Sequence, residues 1–321
     1  MAQDTAGHTA VDSRASAGEK RGPGRASAKV GRRRGDALAA AAFLAPNVAA
    51  YSLFVVIPAA AGLALAFFEW DLFGSPVFAG TANFAKMLDD PVLWTALVNT
   101  AQYGLLGIAP TVLGGFALAV LVNAQMRGAM LIRLLYFVPL TMSVAVSSVL
   151  WSWLYQPESG MINSVLGLAG IDGPAWLSST TWALPALTVM IVWLSLPLVI
   201  ILYLAGLQKV PDSIIEAALL DGAGPWSRTW LIIWPNVRPV TLLVVGIEVL
   251  NFLSAPFEVA LIMTDGGPLN ATMPLSLYIY KVAFERLEIG YANALSMLQT
   301  FVILAAVGGI WLLRRPKSRR T

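Results

Sequence analysis

Residues 207–240 read LQKVPDSIIEAALLDGAGPWSRTWLIIWPNVRPV and lie between two long apolar runs. Ser213, followed three residues later by Glu216, forms a capping-box pattern that predicts the start of a short helix. Gly222 stands where a left-handed residue would end that helix, and Pro225 suits the first position of a second one. The segment is too short and too polar to cross a bilayer, so it predicts a helix–turn–helix along one membrane face.

The flanking sequence is far too apolar for a soluble protein. Hydrophobic residues make up 57% of the 321 and charged residues only 12%, about half the charge of a soluble domain. We expect Pro235 to end the second short helix and Pro239 to open the next span. The fold class predicted is an all-α integral membrane protein, a bundle of six transmembrane helices kinked by proline, with the helix–turn–helix between spans four and five. The six windows are Ala41–Ala66, Tyr103–Val122, Leu134–Leu154, Trp182–Leu207, Val240–Met263 and Ala294–Leu313.

Basic residues predict the orientation. Eight precede Asp36, two lie between spans two and three, three between spans four and five, and five follow span six, so eighteen of the 21 share one side. Basic loops stay cytoplasmic, which places both termini and the helix–turn–helix in the cytoplasm. We expect a disordered basic tail over 1–36, a transmembrane domain over 37–315 and a cytoplasmic tail over 316–321. Contact of the basic tail with anionic membrane lipid is favoured over binding of nucleic acid.

Several classes of chemistry are excluded by composition. The chain has no cysteine, and its one histidine, His8, lies in the polar tail. Thiolate metal sites, disulfides and histidine catalysis therefore have no residues to build on, and we expect no catalytic residue, metal or cofactor site.

The short-helix segment resembles the EAA loop of ABC importer permeases, whose pattern is E-A-A, three residues, G, nine residues, I, one residue, L-P. Trp234 stands where the family usually has leucine. Blocks around the segment, YQP at 155–157, GMIN at 160–163, FE at 257–258 and MTDGGP at 263–268, resemble the carbohydrate-uptake branch, the maltose and glycerol-phosphate type. The residues matching the EAA pattern are Glu216, Ala217, Ala218, Gly222, Ile232 and Pro235.

This resemblance implies a sugar importer in a prokaryotic cell membrane. An extracytoplasmic solute-binding protein delivers the sugar, two permease subunits form a heterodimeric pathway, and two copies of an ABC ATPase drive it. The chain lacks a phosphate-binding loop, so it is a transport subunit and the partner hydrolyses ATP. The coupling residues implied are the six matches together with Asp221. Glu216 has a second interpretation as a cap of its own helix.

The solute pathway is predicted on span five. Glu248, Asn251, Phe252 and Ala255 share one helical face, because their offsets are 0, 3, 4 and 7. A carboxylate and an amide can bind sugar hydroxyls, and a ring can cover the apolar face of a pyranose. Trp193 and Ser195 of span four are expected at similar depth. No basic residue lies deep in a span, which favours a neutral saccharide.

Other interpretations stay open at this point. Glu248 and Asn251 could bond neighbouring helices, and Phe252 could face lipid. A self-contained secondary transporter or channel is the second functional hypothesis, and it would need a proton or sodium relay. An intramembrane enzyme is the third, and it lacks the residues for a nucleophile or a metal site.

Overall fold

The computed structural model describes residues 40–123 and 136–313. Both predicted tails, 1–36 and 316–321, lie outside the described residues, as do the first two residues of the third predicted span. Internal contacts divide the chain into two units, with a boundary at Ala60–Ala61. The packing described below is internal to the second unit.

The elements follow one another in chain order. The first are α1 (Ala40–Leu65, π-helical over Ser52–Val56), β1 (Phe68–Glu69), β2 (Val77–Phe78), α2 (Ala82–Leu88), α3 (Pro91–Asn123), a helical turn at 136–141, α4 (Val144–Leu154) and α5 (Met161–Leu168). They continue with α6 (Ala183–Leu207), α7 (Asp212–Leu220), α8 (Pro225–Ser227, π-helical Arg228–Ile233 and Trp234–Asn236), α9 (Arg238–Ser254 and Pro256–Met263), α10 (Leu275–Tyr280 and π-helical Lys281–Glu285) and α11 (Ile289–Leu313).

Five of the described helices are long and apolar enough to cross a membrane: α1, α3, α6, α9 and α11. They coincide with five of the six predicted spans. The third predicted span is instead two helical pieces that break at Met142 and Ser143. Ser143 caps the second piece, because its hydroxyl accepts a hydrogen bond of 3.3 Å from the amide of Val146.

Helix α3 is the long central element, and it begins twelve residues before the predicted start at Tyr103. Asn99 and Thr100 interrupt the apolar run in sequence, yet both are buried and hydrogen bonded. A polar side chain with a partner can remain in a membrane helix, so the helix continues through them. Pro110 lies inside α3 and Pro197 lies inside α6, in agreement with the prediction that the spans contain prolines.

The core forms where α3 packs along α6 and against α9. Two glycines of α3 let the helices approach closely. The ring of Phe252 occupies the space beside Gly107, where an added Cβ would meet it at 2.0 Å. The side chain of Val199 lies beside Gly115 in the same way, at 2.4 Å. Small residues at helix contacts are the usual means of close packing in membranes.

A two-stranded antiparallel ribbon after α1 departs from the all-α prediction. Phe68 pairs with Phe78, and Glu69 pairs with Val77. The amide of Asn83 donates hydrogen bonds to the carbonyls of Ala66 and Phe68, each at 2.9 Å, and ties the ribbon to α2. Strands of two residues carry too little alternation for a sequence pattern to reveal them.

Candidate functional site

The predicted helix–turn–helix is present between α6 and α9, and its first turn differs from the prediction. Helix α7 starts at Asp212, with Pro211 as the N-terminal cap and no side-chain hydrogen bond to it. Ser213 therefore lies inside the first turn, and the predicted capping box with Glu216 is wrong. An N-terminal cap has an extended backbone, and Pro211 supplies it two residues earlier than Ser213 would.

The end of α7 is confirmed at Gly222. This glycine has φ of +77°, which an L side chain adopts only with strain. Its amide donates to the carbonyl of Leu219 at 3.1 Å, and the amide of Ala223 donates to that of Ala218 at 2.9 Å. These two hydrogen bonds form a Schellman motif, which satisfies carbonyl groups of the last turn and ends the helix.

Helix α8 begins at Pro225 as predicted but runs past Pro235 to Asn236. The amide of Trp234 bonds to the carbonyl of Thr229, five residues back, in the π-helical segment. Such a wider turn accommodates the proline that follows, which has no N–H of its own. The prediction that Pro235 ends the helix is therefore wrong.

A row of aromatic rings holds α8 on the bundle. Trp226, Trp230 and Trp234 stack at successive turns, with ring centroids 5.5 and 5.4 Å apart. The ring of Trp234 then meets that of Phe116 on α3 at 4.7 Å, edge to face. Phe116 in turn contacts Tyr203 of α6 at 5.4 Å. Edge-to-face pairs at these distances are favourable, so α8 is fixed to two of the long helices.

Helix α7 exposes apolar side chains. Ala218 is its only buried residue, while Leu219 and Leu220 are exposed, and Trp226 at the start of α8 is 77% exposed. Apolar groups on a polar connection mark a surface that contacts something else. The remaining predicted coupling residues lie on or beside it: Glu216, Ala217, Asp221, Gly222 and Pro235 are exposed, and Ile232 is half-buried.

Three of the predicted pathway residues, Ser195, Glu248 and Asn251, lie at a second site, a cavity of about 620 Å³ between α4, α6 and α9. Asn251 holds its polar groups together. Its side-chain amide donates to the hydroxyl of Ser195 at 2.7 Å and to the carboxylate of Glu248 at 3.2 Å. Glu248 is 1% exposed. The polar residues that line the cavity are Ser195, Glu248, Asn251, Ser254 and Glu258.

Two predicted pathway residues lie elsewhere. Phe252 is fully buried against Gly107 of α3, and Trp193 stacks on Trp151 with ring centroids 5.6 Å apart. Neither side chain lines the cavity. The α9 residues that do so are Ile247, Glu248, Asn251, Ser254, Ala255 and Phe257–Val259, a set that leaves out Phe252.

Glu258 is the cavity residue that the sequence-based site omitted. It is exposed, and it stands ten residues after Glu248, on the same helical face. That spacing was the available signal. The cavity lining thus carries two carboxylates and, among the described residues, no lysine or arginine.

Comparisons with known proteins concern the family and the fold of the chain as a whole. The family model for the binding-protein-dependent transport system inner membrane component matches residues 111–314. The sulfoquinovosyl glycerol transport system permease SmoG of Agrobacterium fabrum is 31% identical over 87% of this chain and 90% of that protein. The diacetylchitobiose uptake permease NgcF of Streptomyces coelicolor is 31% identical over 85% of this chain and 81% of its own. The crystal structure of a bacterial ABC transporter for the acidic polysaccharide alginate has the same fold, with a TM-score of 0.77 at 20% identity, over 91% of this chain and 100% of that one.

Proposed function

Because the chain belongs to the binding-protein-dependent transport system inner membrane components, and is a permease subunit of an ABC sugar importer, we propose how its two sites divide the work. The helix–turn–helix of α7 and α8 couples the bundle to a separate ATPase. The cavity between α4, α6 and α9 is this subunit's share of the solute pathway. The chain itself is the transport component and not a catalyst.

The coupling role is supported by the build of α7. A helix that ends in a Schellman motif at Gly222 and exposes Leu219 and Leu220 is a rigid body with an apolar surface. The aromatic row through Trp230 and Trp234 joins α8, which follows α7 directly after the turn at Gly222, to α3 and α6. A force applied to α7 would therefore reach the long helices through packed rings rather than through a loose loop.

The proposed topology has six spans. The broken segment over residues 136–154 supplies the sixth, and Met142 and Val144 on either side of its interruption at Ser143 line the cavity. Irregular backbone at membrane depth is tolerated where it lines a polar cavity. With six spans and the basic bias, both termini and α7 lie in the cytoplasm of a prokaryotic cell.

The proposed solute is a neutral saccharide. Hydroxyl, amide and carboxylate groups at Ser195, Asn251 and Glu248 can exchange hydrogen bonds with sugar hydroxyls. Two carboxylates, with no lysine or arginine among the described residues of the lining, would repel an anionic sugar. The open side of the cavity is closed by a second permease in a heterodimer, with two ATPase copies below and an extracytoplasmic solute-binding protein above.

Purification and a same-site pair of variants at Gly222 test the coupling. The chain should copurify with a second membrane subunit and an ATPase. In proteoliposomes, Gly222→Val should keep assembly yet uncouple ATP hydrolysis from uptake of lactose, maltose or diacetylchitobiose, because a β-branched residue is strained at φ of +77°. Gly222→Asn should retain coupling, since asparagine tolerates this conformation.

Two results would contradict the coupling assignment. One is wild-type coupling in Gly222→Val. The other is sugar uptake by the purified chain alone, which would favour a self-contained secondary transporter.

A further inference from the structure

The connection between α9 and α10 is seated on α3 by hydrogen bonds. The side-chain amide of Asn99 donates to the carbonyls of Asn270 and Met273 at 2.7 and 3.1 Å. The hydroxyl of Tyr103 donates to the carbonyl of Thr272 at 3.0 Å. The backbone of residues 264–274, here called the α9–α10 loop, is thus held by polar side chains of a single helix.

Thr100 completes this polar face of α3. Its hydroxyl accepts a hydrogen bond of 2.9 Å from the amide of Leu275, where α10 begins. Asn99, Thr100 and Tyr103 are all buried, so water does not compete for their bonds. The α9–α10 loop needs this support, because Asp265, Leu269 and Asn270 have positive φ. Residues other than glycine keep such backbone angles only when surrounding contacts impose them.

Helix α9 is divided at the proline next to the cavity. Pro256 has no N–H, so it cannot donate to the carbonyl of Phe252, and the helix has two segments that end at Ser254 and begin at Pro256. Glu248 and Asn251 stand on the first segment, and Glu258 stands on the second. The backbone ladder therefore does not by itself fix the angle between these polar groups.

The first segment packs on α3 and α6, and the second packs on α4 and α6 and is tied to α3 through the loop that follows it. Phe252 fits the first segment to α3 beside Gly107. The second segment continues into the α9–α10 loop and the start of α10, which are hydrogen bonded to Asn99, Thr100 and Tyr103. We propose that these three residues are positioning residues for the pathway: by holding the α9–α10 loop on α3, they set where Glu258 stands relative to Glu248 and Asn251. The proposal rests on the proposed function of the cavity.

The experiment measures the angle in α9 directly. Because the chain has no cysteine, Leu243→Cys and Ile262→Cys, both at exposed positions of α9, carry the only spin labels when the partner subunits are cysteine-free. The two sites are about 28 Å apart along a helix. Distance distributions are recorded on the assembled complex in proteoliposomes, in the backgrounds Tyr103→Phe and Asn99→Ala.

The matched control is Thr111→Val. Thr111 is buried on the same helix, but its hydroxyl bonds only to the carbonyl of Gly107 in its own helix, at 2.8 Å. The width of the distribution should at least double in Asn99→Ala, increase less in Tyr103→Phe, and stay unchanged in Thr111→Val. For the saccharide that the wild-type complex takes up, the KM should rise roughly tenfold in Asn99→Ala with little change in kcat, as expected for the loss of one or two buried hydrogen bonds.

An unchanged distribution in Asn99→Ala would overturn the proposal, whatever the uptake. If that variant does not assemble, Tyr103→Phe decides in the same way, because it removes one hydroxyl and keeps the ring. A broadened Thr111→Val would also overturn it, since any loss of a hydroxyl from α3 would then suffice. A wild-type complex that takes up no saccharide would defeat the proposed function while leaving the distance result interpretable.

Discussion

Asn251 is the residue on which the polar lining of the cavity depends. Its amide contacts both Ser195 and Glu248, so Asn251→Ala removes a donor and leaves a buried carboxylate without that partner. We expect the KM for the transported saccharide to rise by roughly 10- to 150-fold, which corresponds to the range for a lost hydrogen bond to a charged group. Thr241→Val on the same helix, outside the cavity lining, should leave the KM within twofold. Equal effects of the two substitutions on uptake kinetics would remove Asn251 from the pathway.

Asp90 gives an acid-dependent contribution to stability at the start of α3. Burial raises its pKa, but hydrogen bonds from Tyr278, from Tyr291 at 2.6 Å and from the amides of Leu93 and Val92 outweigh burial, so the pKa lies below its ordinary value of 3.8. The stabilisation is therefore complete above that value and is lost as the pH falls through the lowered pKa.

The direction of this pH dependence can be measured from the melting temperature of the protein in detergent between about pH 3 and pH 7. Asp90→Asn should melt at a lower temperature near neutrality and lose less on acidification than the wild type. Asp89→Asn, the exposed neighbour, serves as the control and should follow the wild-type curve. Parallel curves for Asp90→Asn and the wild type would refute the assignment.

Single residues were predictable where backbone geometry dictates the amino acid. Gly222 was, because few residues but glycine accept its φ. The cap at Ser213 was not, because Pro211 starts the helix earlier and a capping pattern does not reveal which of two starts is used. Glu258 was missed because the predicted face was drawn only as far as Ala255, whereas the cavity lining continues to Glu258.

Neighbouring glycines on α3 offer a test of how closely helices pack. A Cβ on Gly115 would lie 2.4 Å from the side chain of Val199 and 3.2 Å from its Cβ, whereas one on Gly114 would meet Leu196 at an ordinary 3.8 Å. Gly115→Ala should destabilise the bundle by about 1–3 kcal/mol through overpacking. Gly114→Ala should be neutral or stabilising by up to about 1 kcal/mol, from helix propensity alone. Thermal unfolding in detergent compares them, and a higher melting temperature for Gly115→Ala would exclude close α3–α6 contact.

Apolar length predicted elements well and their ends poorly. Windows of about 20 apolar residues located five helices, because bilayer thickness sets that length. They misplaced the start of α3 because hydropathy counts Asn99 as polar, while its hydrogen-bond partners come from residues some 170 positions away. The break at Ser143 was hidden for another reason: the surrounding sequence carries no charge, so a hydropathy window passes over it.

The orientation of the whole molecule can be tested with two matched leucines. Leu220, at the end of α7, and Leu269, in the α9–α10 loop, are each 89% exposed. Since the chain has no cysteine, Leu220→Cys and Leu269→Cys are single reactive thiols. A membrane-impermeant reagent should label position 269 in right-side-out vesicles and position 220 only in inside-out vesicles stripped of peripheral protein. The reverse pattern would place α7 outside the cell and invalidate the coupling role.

At this scale the sequence predicted the family and five of the six spans, and the orientation stays a prediction. Charge distribution and span count depend on sums over many residues, so errors at single positions cancel. Which side chains line the cavity depends on how α9 is turned about its own axis, because Asn251 faces the cavity and its neighbour Phe252 does not. The orientation of α9 follows from how Phe252 fits beside Gly107 on α3. A contact of this kind is visible only after folding.

The carboxylate of Glu258 has a consequence for synthesis. It is exposed along a helix that otherwise suits hydrocarbon, and a charged group facing lipid tails is costly. In the proposed heterodimer the second permease covers this carboxylate. A chain made without that permease would expose the carboxylate to the acyl chains and be degraded by membrane proteases. We therefore expect the chain and the proposed second permease to be produced in equal numbers, and surplus copies of the chain to be degraded.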